Sequence, residues 1–193
     1  MRVKRGFDLC CVIPAIILLS PLLLSLAIWI KLDSQGSIFF LQTRVGQGGR
    51  LFKIFKFRTM HANTGLKITA TTDKRITRAG MFLRRYKLDE LPQLFNVLIG
   101  DMSLVGPRPE VPDYVAHYPE AVKAEVLSVP CGITDYASIA FRHEGELLAT
   151  SDNPEKTYIQ EILPIKLAYQ QQYVRERSLW VDIKIILQTL KVL

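Results

Sequence analysis

The pattern of apolar and polar positions divides the chain into an oily segment and a longer stretch of ordinary globular sequence. Apolar residues dominate from Leu9 to Ile30, between a basic start and Lys31. About 20 apolar residues are enough for one helix to cross a bilayer, whereas a secretory signal has a shorter core and a small-residue cleavage site. The pattern therefore predicts a membrane-associated segment over residues 1–33 and a second region over residues 34–193.

Two prolines interrupt the apolar segment and leave its path open. Pro14 and Pro21 each lack a backbone donor, so each can kink a helix. Ser20 precedes Pro21, and its hydroxyl can bond to a carbonyl that the proline leaves free. Cations flank the segment at both ends. The residues alone fit a kinked span and a re-entrant hairpin equally well, and only the hairpin leaves both ends in the cytoplasm.

The hydrophobic periodicity predicts the elements that follow. β-rich runs on both sides of the turn Gly46–Gly49 predict an antiparallel hairpin. A short helix is expected in "MFLRRYK". A second helix is expected in "DELPQLFNVLIG", with Asp89 as its N-cap and Gly100 at its end. The polar stretch 67–80 and residues 101–150 are predicted to be mainly loops.

The C-terminal part is predicted to be helical. A helix should begin at Asn153-Pro154, and Pro164 should bend it. In the last segment, apolar residues recur at helical spacing at Leu179, Ile183, Ile186, Leu187 and Leu190. Such a face fits a helix at a membrane interface, although packing in a core explains it equally well. The patterns together predict an α+β fold that is mostly helical, with an antiparallel β-hairpin and amphipathic interfacial helices.

Composition adds a basic character to this picture. The chain has 193 residues and a formal net charge of +7. This charge favours anionic partners, such as nucleic acid, phosphorylated small molecules or an anionic membrane face. The three cysteines and three histidines show no spacing typical of a disulfide framework or of a zinc site.

The acidic pair Asp89-Glu90 is the first candidate for chemistry. Acidic residues at a helix start stabilise the helix and need no other role. Several cations in the surrounding sequence favour a functional role for the pair instead. They are Lys56, Arg58, Arg84, Arg85 and Arg108. Helix N-termini and arginine forks both bind phosphate well, and they should keep the carboxylate of Asp89 ionised. Arg108 lies between two prolines in "GPRPE", which fix its backbone, so we expect a phosphate to bind there.

The chain resembles the bacterial sugar transferase family, the monotopic phosphoglycosyl transferases that act on polyprenyl phosphate. The similarity covers nearly the whole sequence. It includes "KRGFD" before the apolar segment, Ser20-Pro21 within it and "FFLQTRVGQGGRLFKIFKFRTM" after it. It continues through "TDKRITRAGMFLRRYKLDELPQLFNVLIGDMSLVGPRPE" and "VPCGITDYASIAFR".

The resemblance implies a role for each matched residue. Asp89 matches the family's nucleophile, and Glu90 its partner in Mg²⁺ and phosphate positioning. Ser20-Pro21 matches the break that makes the membrane helix re-entrant. Cations assigned to the substrate phosphates are Arg84 and Arg108, to which we add Lys56 and Arg58. The "PCGIT" stretch matches a loop near the nucleotide, which assigns nucleotide binding to Gly132, Ile133 and Thr134. The following Asp135-Tyr136 departs from the glycine and aromatic residue usual there.

The resemblance also implies the reaction and its setting. A sugar-1-phosphate would move from a nucleotide sugar, such as a UDP-sugar, to undecaprenyl phosphate, with release of UMP and a covalent aspartyl intermediate. The expected location is the bacterial inner membrane with the site facing the cytoplasm. Membrane lipids would be partners, nucleic acid would not, and a homodimer is possible. Two other classes stay open, a membrane-attached phosphatase or nucleotide-sugar hydrolase and a non-catalytic basic scaffold.

Overall fold

The computed structural model describes residues 2–61 and 75–192, so residues 67–74 of the expected polar loop lie outside the described parts. These parts are mostly helical, with two small sheets, as the α+β prediction requires. The strands are β1 (Phe39–Val45), β2 (Leu51–Phe57), β3 (Ser103–Val105) and β4 (Gly132–Thr134). The helices are α1 (Arg2–Asp33), α2 (Arg78–Arg85), α3 (Gln93–Ile99), α4 (Pro112–Val115), α5 (Glu120–Val126), α6 (Tyr136–Ala140), α7 (Glu144–Ala149), α8 (Pro154–Thr157), α9 (Leu163–Glu176) and α10 (Leu179–Val192).

Helix α1 runs for 32 residues and contains both prolines. Pro21 cannot donate to the carbonyl of Ile17 four residues earlier. The hydroxyl of Ser20 donates to that same carbonyl at 2.7 Å, as the sequence predicted. The helix is continuous through Ser20-Pro21, and the serine hydroxyl satisfies the carbonyl that the proline leaves free. By length and hydropathy, α1 is a candidate membrane helix.

Both ends of α1 contact the rest of the fold. Near its start, Arg5 donates to the carbonyl of Leu98 at 2.9 Å, and Asp8 accepts from the Ser103 hydroxyl at 2.8 Å. Near its end, Ile30 is buried in a cluster with side chains of β2 and α2. Several large apolar side chains between these ends are exposed. The helix therefore offers an apolar surface while its two ends pack against one folded unit.

The predicted hairpin is confirmed. Strands β1 and β2 pair antiparallel from Phe39 opposite Phe57 to Val45 opposite Leu51. Gly48 and Gly49 lie in the connecting turn with φ of 65° and 80°, a conformation that glycine adopts without strain. This turn places the two strand ends close together at one end of the hairpin.

Residues 101–150 contain more regular structure than the loops that we predicted. Strands β3 and β4 pair in parallel, with Ser103 opposite Gly132 and Val105 opposite Thr134, and short helices fill much of the remainder. A Cβ on Gly132 would lie 2.1 Å from the backbone nitrogen of Gly106. The two glycines therefore allow a close approach of the two backbones. The alternation of apolar and polar residues did not predict these strands, because each is only three residues long.

The predicted helix at Asn153-Pro154 exists, and its backbone departs from α-helical geometry directly before Pro164. A π-helical turn over Tyr158–Ile162 separates α8 from α9. Thr157, Ile162 and Leu163 have right-handed helical backbones, so the helix is continuous and Pro164 lies inside it. A proline at such a position lacks a donor, which favours a local change of hydrogen-bond pattern. The largest apolar cluster packs around this region, with Tyr118 and Leu167 among its buried members.

The last helix buries a different face from the one that its apolar stripe suggests. Asp182 and Ile185 are its buried residues. Leu187 and Leu190 are exposed, and Trp180 has 76% of its surface accessible. Helix α10 therefore packs by a narrow strip and leaves much of its apolar side uncovered.

Candidate active site

The acidic pair lies in a tight turn between α2 and α3. A 3₁₀ turn covers Leu88–Glu90 and follows Lys87, which has a left-handed backbone with φ of 54°. Helix α3 begins at Gln93 with Pro92 before it. The prediction that Asp89 is the N-cap of this helix is therefore wrong. The left-handed residue reverses the chain first, so the pair lies in the turn rather than at the helix start.

Glu90 is the anchored member of the pair. Its Oε1 atom accepts a hydrogen bond from Lys56 Nζ at 2.9 Å and another from Arg108 Nη2. Burial alone would raise the pKa of Glu90, but the charges and hydrogen bonds of Arg108 and Lys56 hold that pKa well below its usual range. Glu90 is therefore a fixed anion that gathers two cations from distant parts of the sequence.

Asp89 is the unengaged member of the pair. Within residues 2–61 and 75–192, no hydrogen bond or ion pair involves its carboxylate. Burial and the neighbouring charge of Glu90 raise its pKa, against the opposing charges of Lys56 and Arg84. The expected effect of the cations is thus present but outweighed. A partly desolvated carboxylate without a partner is suited to act as a nucleophile.

Arg108 is held at both its backbone and its side chain. Its N–H donates to Asp135 Oδ2 at 3.2 Å, and its carbonyl accepts from Gln170 at 3.4 Å. Its Nη1 donates to the carbonyl of Ile133 at 3.1 Å, while Nη2 reaches Glu90. The rigid "PRP" backbone is therefore fixed so that one guanidinium bridges β4 and the acidic pair.

Asp135 supplies part of this support and was not recognised from the sequence. It is fully buried, and it caps α6 by accepting from the backbone N–H and the hydroxyl of Ser138, both at 2.7 Å. Its other oxygen, Oδ2, accepts the hydrogen bond from the backbone N–H of Arg108. The signal that could have found it is the N-cap pattern of an aspartate three residues before a serine. The departure noted at Asp135-Tyr136 thus has a structural role here.

The residue that ends "GPRPE" ties this loop to the core. Glu110 is buried and accepts from Arg44 at 3.1 Å, from Tyr158 at 2.5 Å and from Lys166 at 3.3 Å. Burial would raise its pKa, but the charges of Lys166 and Arg44, the hydrogen bond from Tyr158 and the charge of Arg108 together hold that pKa below its usual value. The paired charges satisfy a carboxylate that would otherwise be costly to bury, and they hold the loop that carries Arg108.

The other predicted residues differ in how closely they approach the acidic pair. Arg58 is buried and donates to the Ser34 carbonyl at 2.7 Å, at the end of α1, away from the acidic pair's hydrogen bonds. Arg84 donates through Nε to the hydroxyl of Thr59 at 2.9 Å, and its charge lowers the pKa of Asp89. Gly132 and Thr134 are buried in β4. Of the three residues assigned to the nucleotide, Ile133 is hydrogen-bonded to the site, through its carbonyl, which accepts from Arg108 at 3.1 Å.

The donor set of the site suits phosphate and a hard cation. Fixed arginine and lysine side chains bind phosphate oxygens. Among the described residues no group of three or more histidine, cysteine or acidic residues forms a complete metal cage. Mg²⁺ commonly uses one or two carboxylates together with waters and substrate phosphates. Asp89 and the Oε2 atom of Glu90, which has no hydrogen bond among the described residues, fit that mode of binding.

The described fold and site define a class of protein. It is a mostly helical α+β protein with a long apolar N-terminal helix. Its candidate site combines two adjacent carboxylates with cations of the kind that bind phosphate. The particular family follows from its sequence profile. The bacterial sugar transferase profile matches residues 1–193, and the chain belongs to this family.

Curated relatives agree with this assignment. The undecaprenyl-phosphate glucose phosphotransferase of Komagataeibacter xylinus is 42% identical over 99% of the chain and 36% of its own length. The UDP-N-acetylgalactosamine-undecaprenyl-phosphate N-acetylgalactosaminephosphotransferase of Aeromonas hydrophila is 38% identical over 98% of the chain and 43% of its own length. A UDP-glucose:undecaprenyl-phosphate glucose-1-phosphate transferase of Caulobacter vibrioides is 38% identical over 96% of the chain and 67% of its own length. The chain thus spans about two fifths of the first two relatives.

Proposed function

We propose that the protein transfers a sugar-1-phosphate from a UDP-sugar to undecaprenyl phosphate and releases UMP, as the first membrane step in the assembly of a glycan. The observation that carries this proposal is the contrast within the acidic pair. Glu90 is fixed by Lys56 and Arg108, whereas Asp89 has no partner among the described residues. The relatives named above, which act on undecaprenyl phosphate by their names, support the same class of reaction.

The proposed mechanism has two displacements at one phosphorus. A carboxylate oxygen of Asp89 attacks the sugar-bearing phosphorus of the nucleotide sugar. The bond from that phosphorus to the bridging oxygen breaks, and UMP leaves with the electron pair. A phosphate oxygen of the polyprenyl phosphate then attacks the same phosphorus and releases Asp89. The lipid product carries the sugar through a diphosphate.

The first displacement requires cations, because an anion attacks an anion. Two like charges at about 4 Å repel by about 4 kcal/mol at an effective dielectric constant near 20. Lys56 and Arg108 already neutralise Glu90, and Arg84 lowers the pKa of Asp89. The same cations would offset the developing charge on the transferred phosphoryl group.

Magnesium completes this proposal. Asp89 and Glu90 would hold the ion together with the substrate phosphates, and the ion would supply neutralisation of phosphate charge. The protein's own contribution is to keep Glu90 anchored and to leave the carboxylate of Asp89 accessible. This division of roles predicts that replacement of either carboxylate impairs turnover, whereas only the loss of Asp89 removes the covalent bond.

We further propose that α1 is re-entrant and that the site faces the cytoplasm at the inner membrane. Arg5 and Ile30, near opposite ends of the helix, both contact the same folded unit, which a straight span through a bilayer would not allow. Cysteine labelling from outside intact cells should miss sites engineered at either end of α1. Labelling of one end alone would refute the re-entrant path. Replacement of Ser20 and Pro21 by leucine should favour crossing.

The covalent step provides the test of the reaction. With UDP-sugar and Mg²⁺ but no lipid, the protein should release about one UMP per site and then stall, and mass spectrometry should find the sugar phosphate on Asp89. Asp89→Asn should abolish both signals, while Asp152→Asn, at an exposed position, should change neither. UMP release that strictly requires lipid, without an adduct, would refute the intermediate. Transfer of the phosphate to water would identify a hydrolase instead.

A further inference from the structure

A separate cavity of about 800 Å³ lies at the end of the hairpin away from the acidic pair. It is lined by the start of α1, the hairpin turn, residues 100–103 and the start of α10, and neither Lys56 nor Glu90 lines it. Arg50, which does, precedes Lys56 by six residues of extended chain, which corresponds to roughly 20 Å. The cavity is therefore distinct from the candidate active site.

The floor of this cavity is polar but already satisfied. Asp182 accepts from Lys4 at 2.6 Å and from the Tyr173 hydroxyl at 2.8 Å. Asp8 accepts from Ser103 at 2.8 Å. Because these buried groups pair with one another, they require no ligand. They build a rigid base from "KRGFD", a motif to which the proposed reaction assigns no role.

The rim of the cavity carries arginines that are not satisfied in this way. The side chains of Arg2 and Arg177 have no hydrogen bond or ion pair within the described parts of the chain. Arg50 has 78% of its side chain exposed, and its contact with Asp101 is long at 3.5 Å. Arginine binds phosphate oxygens in a fork-like geometry. A cavity of this size accommodates a ligand of several hundred Å³, so the rim suits a phosphate-bearing group.

The position of the rim identifies the source of that phosphate. Arg2 precedes the apolar stretch of α1, in which Ile17 and Leu18 are 69% and 79% exposed. Trp180 is also exposed, two residues after Ser178 on the opposite wall. Ile17 is 15 residues from Arg2, about 22 Å along the helix, so the arginine lies at the basic start of an apolar helix and Trp180 adjoins the opposite wall. Basic residues at the end of an apolar helix, together with an exposed tryptophan, are typical of a protein surface at the level of lipid headgroups. We infer that this cavity binds the phosphate of an anionic membrane phospholipid as a structural lipid, separate from the acceptor lipid.

The tryptophans allow a direct test of this inference. The chain contains two tryptophans, so Trp29→Phe leaves Trp180 as a single reporter next to the cavity. The full-length protein in a neutral detergent is titrated with short-chain phosphatidylglycerol, and separately with phosphatidylcholine of the same chain length. We expect saturable binding of phosphatidylglycerol and no saturable binding of phosphatidylcholine. Equal responses to both lipids would overturn the inference.

Variants locate the binding in the cavity. Arg50→Gln and Arg177→Gln should each weaken the binding of phosphatidylglycerol about fivefold, from the usual contribution of one basic residue near anionic lipid. Lys156→Gln removes an exposed charge elsewhere on the surface and should leave the affinity unchanged. Thermal unfolding followed by circular dichroism verifies that each variant is folded. Unchanged affinity in both arginine variants would overturn the assignment.

A second titration distinguishes a lipid from a soluble phosphate. Inorganic pyrophosphate is added to the same single-tryptophan protein without lipid. Binding of pyrophosphate that depends on Arg177, with no binding of phosphatidylglycerol, would refute the lipid and identify a site for a soluble phosphate. The inference rests on the membrane association proposed above. Its experiments use no catalytic readout, so their failure would leave the proposed reaction untouched.

Discussion

Replacement of Arg108 by lysine tests whether the geometry of this cation matters beyond its charge. One guanidinium nitrogen of Arg108 reaches Glu90, and the other donates to the carbonyl of Ile133 at 3.1 Å. A lysine ammonium is a single point charge on a flexible stem and cannot reproduce this planar fork. Because the backbone is fixed by two prolines and by Asp135, the shorter reach of the new side chain cannot be compensated by movement of the loop.

The expected size of the effect follows from the bond that is lost. A hydrogen bond from a charged donor contributes about 1.5–3 kcal/mol, and about 1.4 kcal/mol corresponds to a tenfold change in rate. Arg108→Lys should therefore lower kcat/KM by about 10- to 100-fold. Arg108→Gln should lower it further, because Lys56 is then the one ionic partner that Glu90 retains among the described residues.

The assay is steady-state UMP release with saturating polyprenyl phosphate. Arg175→Lys is the matched control, because Arg175 forms an arginine–glutamate pair with Glu125 on the surface and should tolerate the change. Thermal unfolding separates loss of activity from loss of fold. Turnover by Arg108→Lys within about twofold of the unmodified protein, far below one tenfold step, would refute the argument that the fork geometry of Arg108 contributes to the reaction.

Three further predictions concern separate features. Lys56→Gln removes a charge that lowers the pKa of Asp89. This pKa should therefore rise, and the acid limb of the pH–rate profile should move to higher pH. An unmoved acid limb would contradict the assignment of that limb to Asp89. Gly132→Ala forces a Cβ against backbone at 2.1 Å and should lower the unfolding free energy by about 1–3 kcal/mol, whereas Gly6→Ala, with open space around it, should not destabilise the fold. Arg58→Met should lower the melting temperature by removing a bond worth about 2 kcal/mol and leave the pH–rate profile unshifted; a shifted profile would show that Arg58 acts in the site.

The sequence was sufficient where one local rule decides the structure. The turn Gly46–Gly49 between two β-rich runs predicted the hairpin, and Ser20 beside Pro21 predicted the hydrogen bond that now satisfies the Ile17 carbonyl. Each of these features depends on neighbours within a few residues. The long apolar run likewise predicted α1, because hydropathy over one segment needs no tertiary information.

The sequence was insufficient where the structure depends on distant partners. Helix α3 begins later than predicted because Lys87 adopts a left-handed backbone, which a lysine rarely does. The pairing of β3 with β4 relies on contact between Gly106 and Gly132, 26 residues apart in the numbering of the chain. Asp135 supports Arg108 across a similar separation. Propensity and periodicity carry no signal for such contacts.

The separation of Lys56 from Arg58 shows how the apolar helix and the acidic pair are joined. Lys56 in β2 contacts Glu90, and two residues later Arg58 donates to the Ser34 carbonyl at the end of α1. Two residues of extended chain span about 7 Å, so the end of α1 cannot move far from the acidic pair without loss of one of these contacts. If α1 lies in the membrane as proposed, the same short segment fixes the depth of the site relative to the lipid phosphate. The two cations of "KFR" therefore have different roles. Lys56 contacts the acidic pair directly, whereas Arg58 fixes the end of α1 relative to that pair.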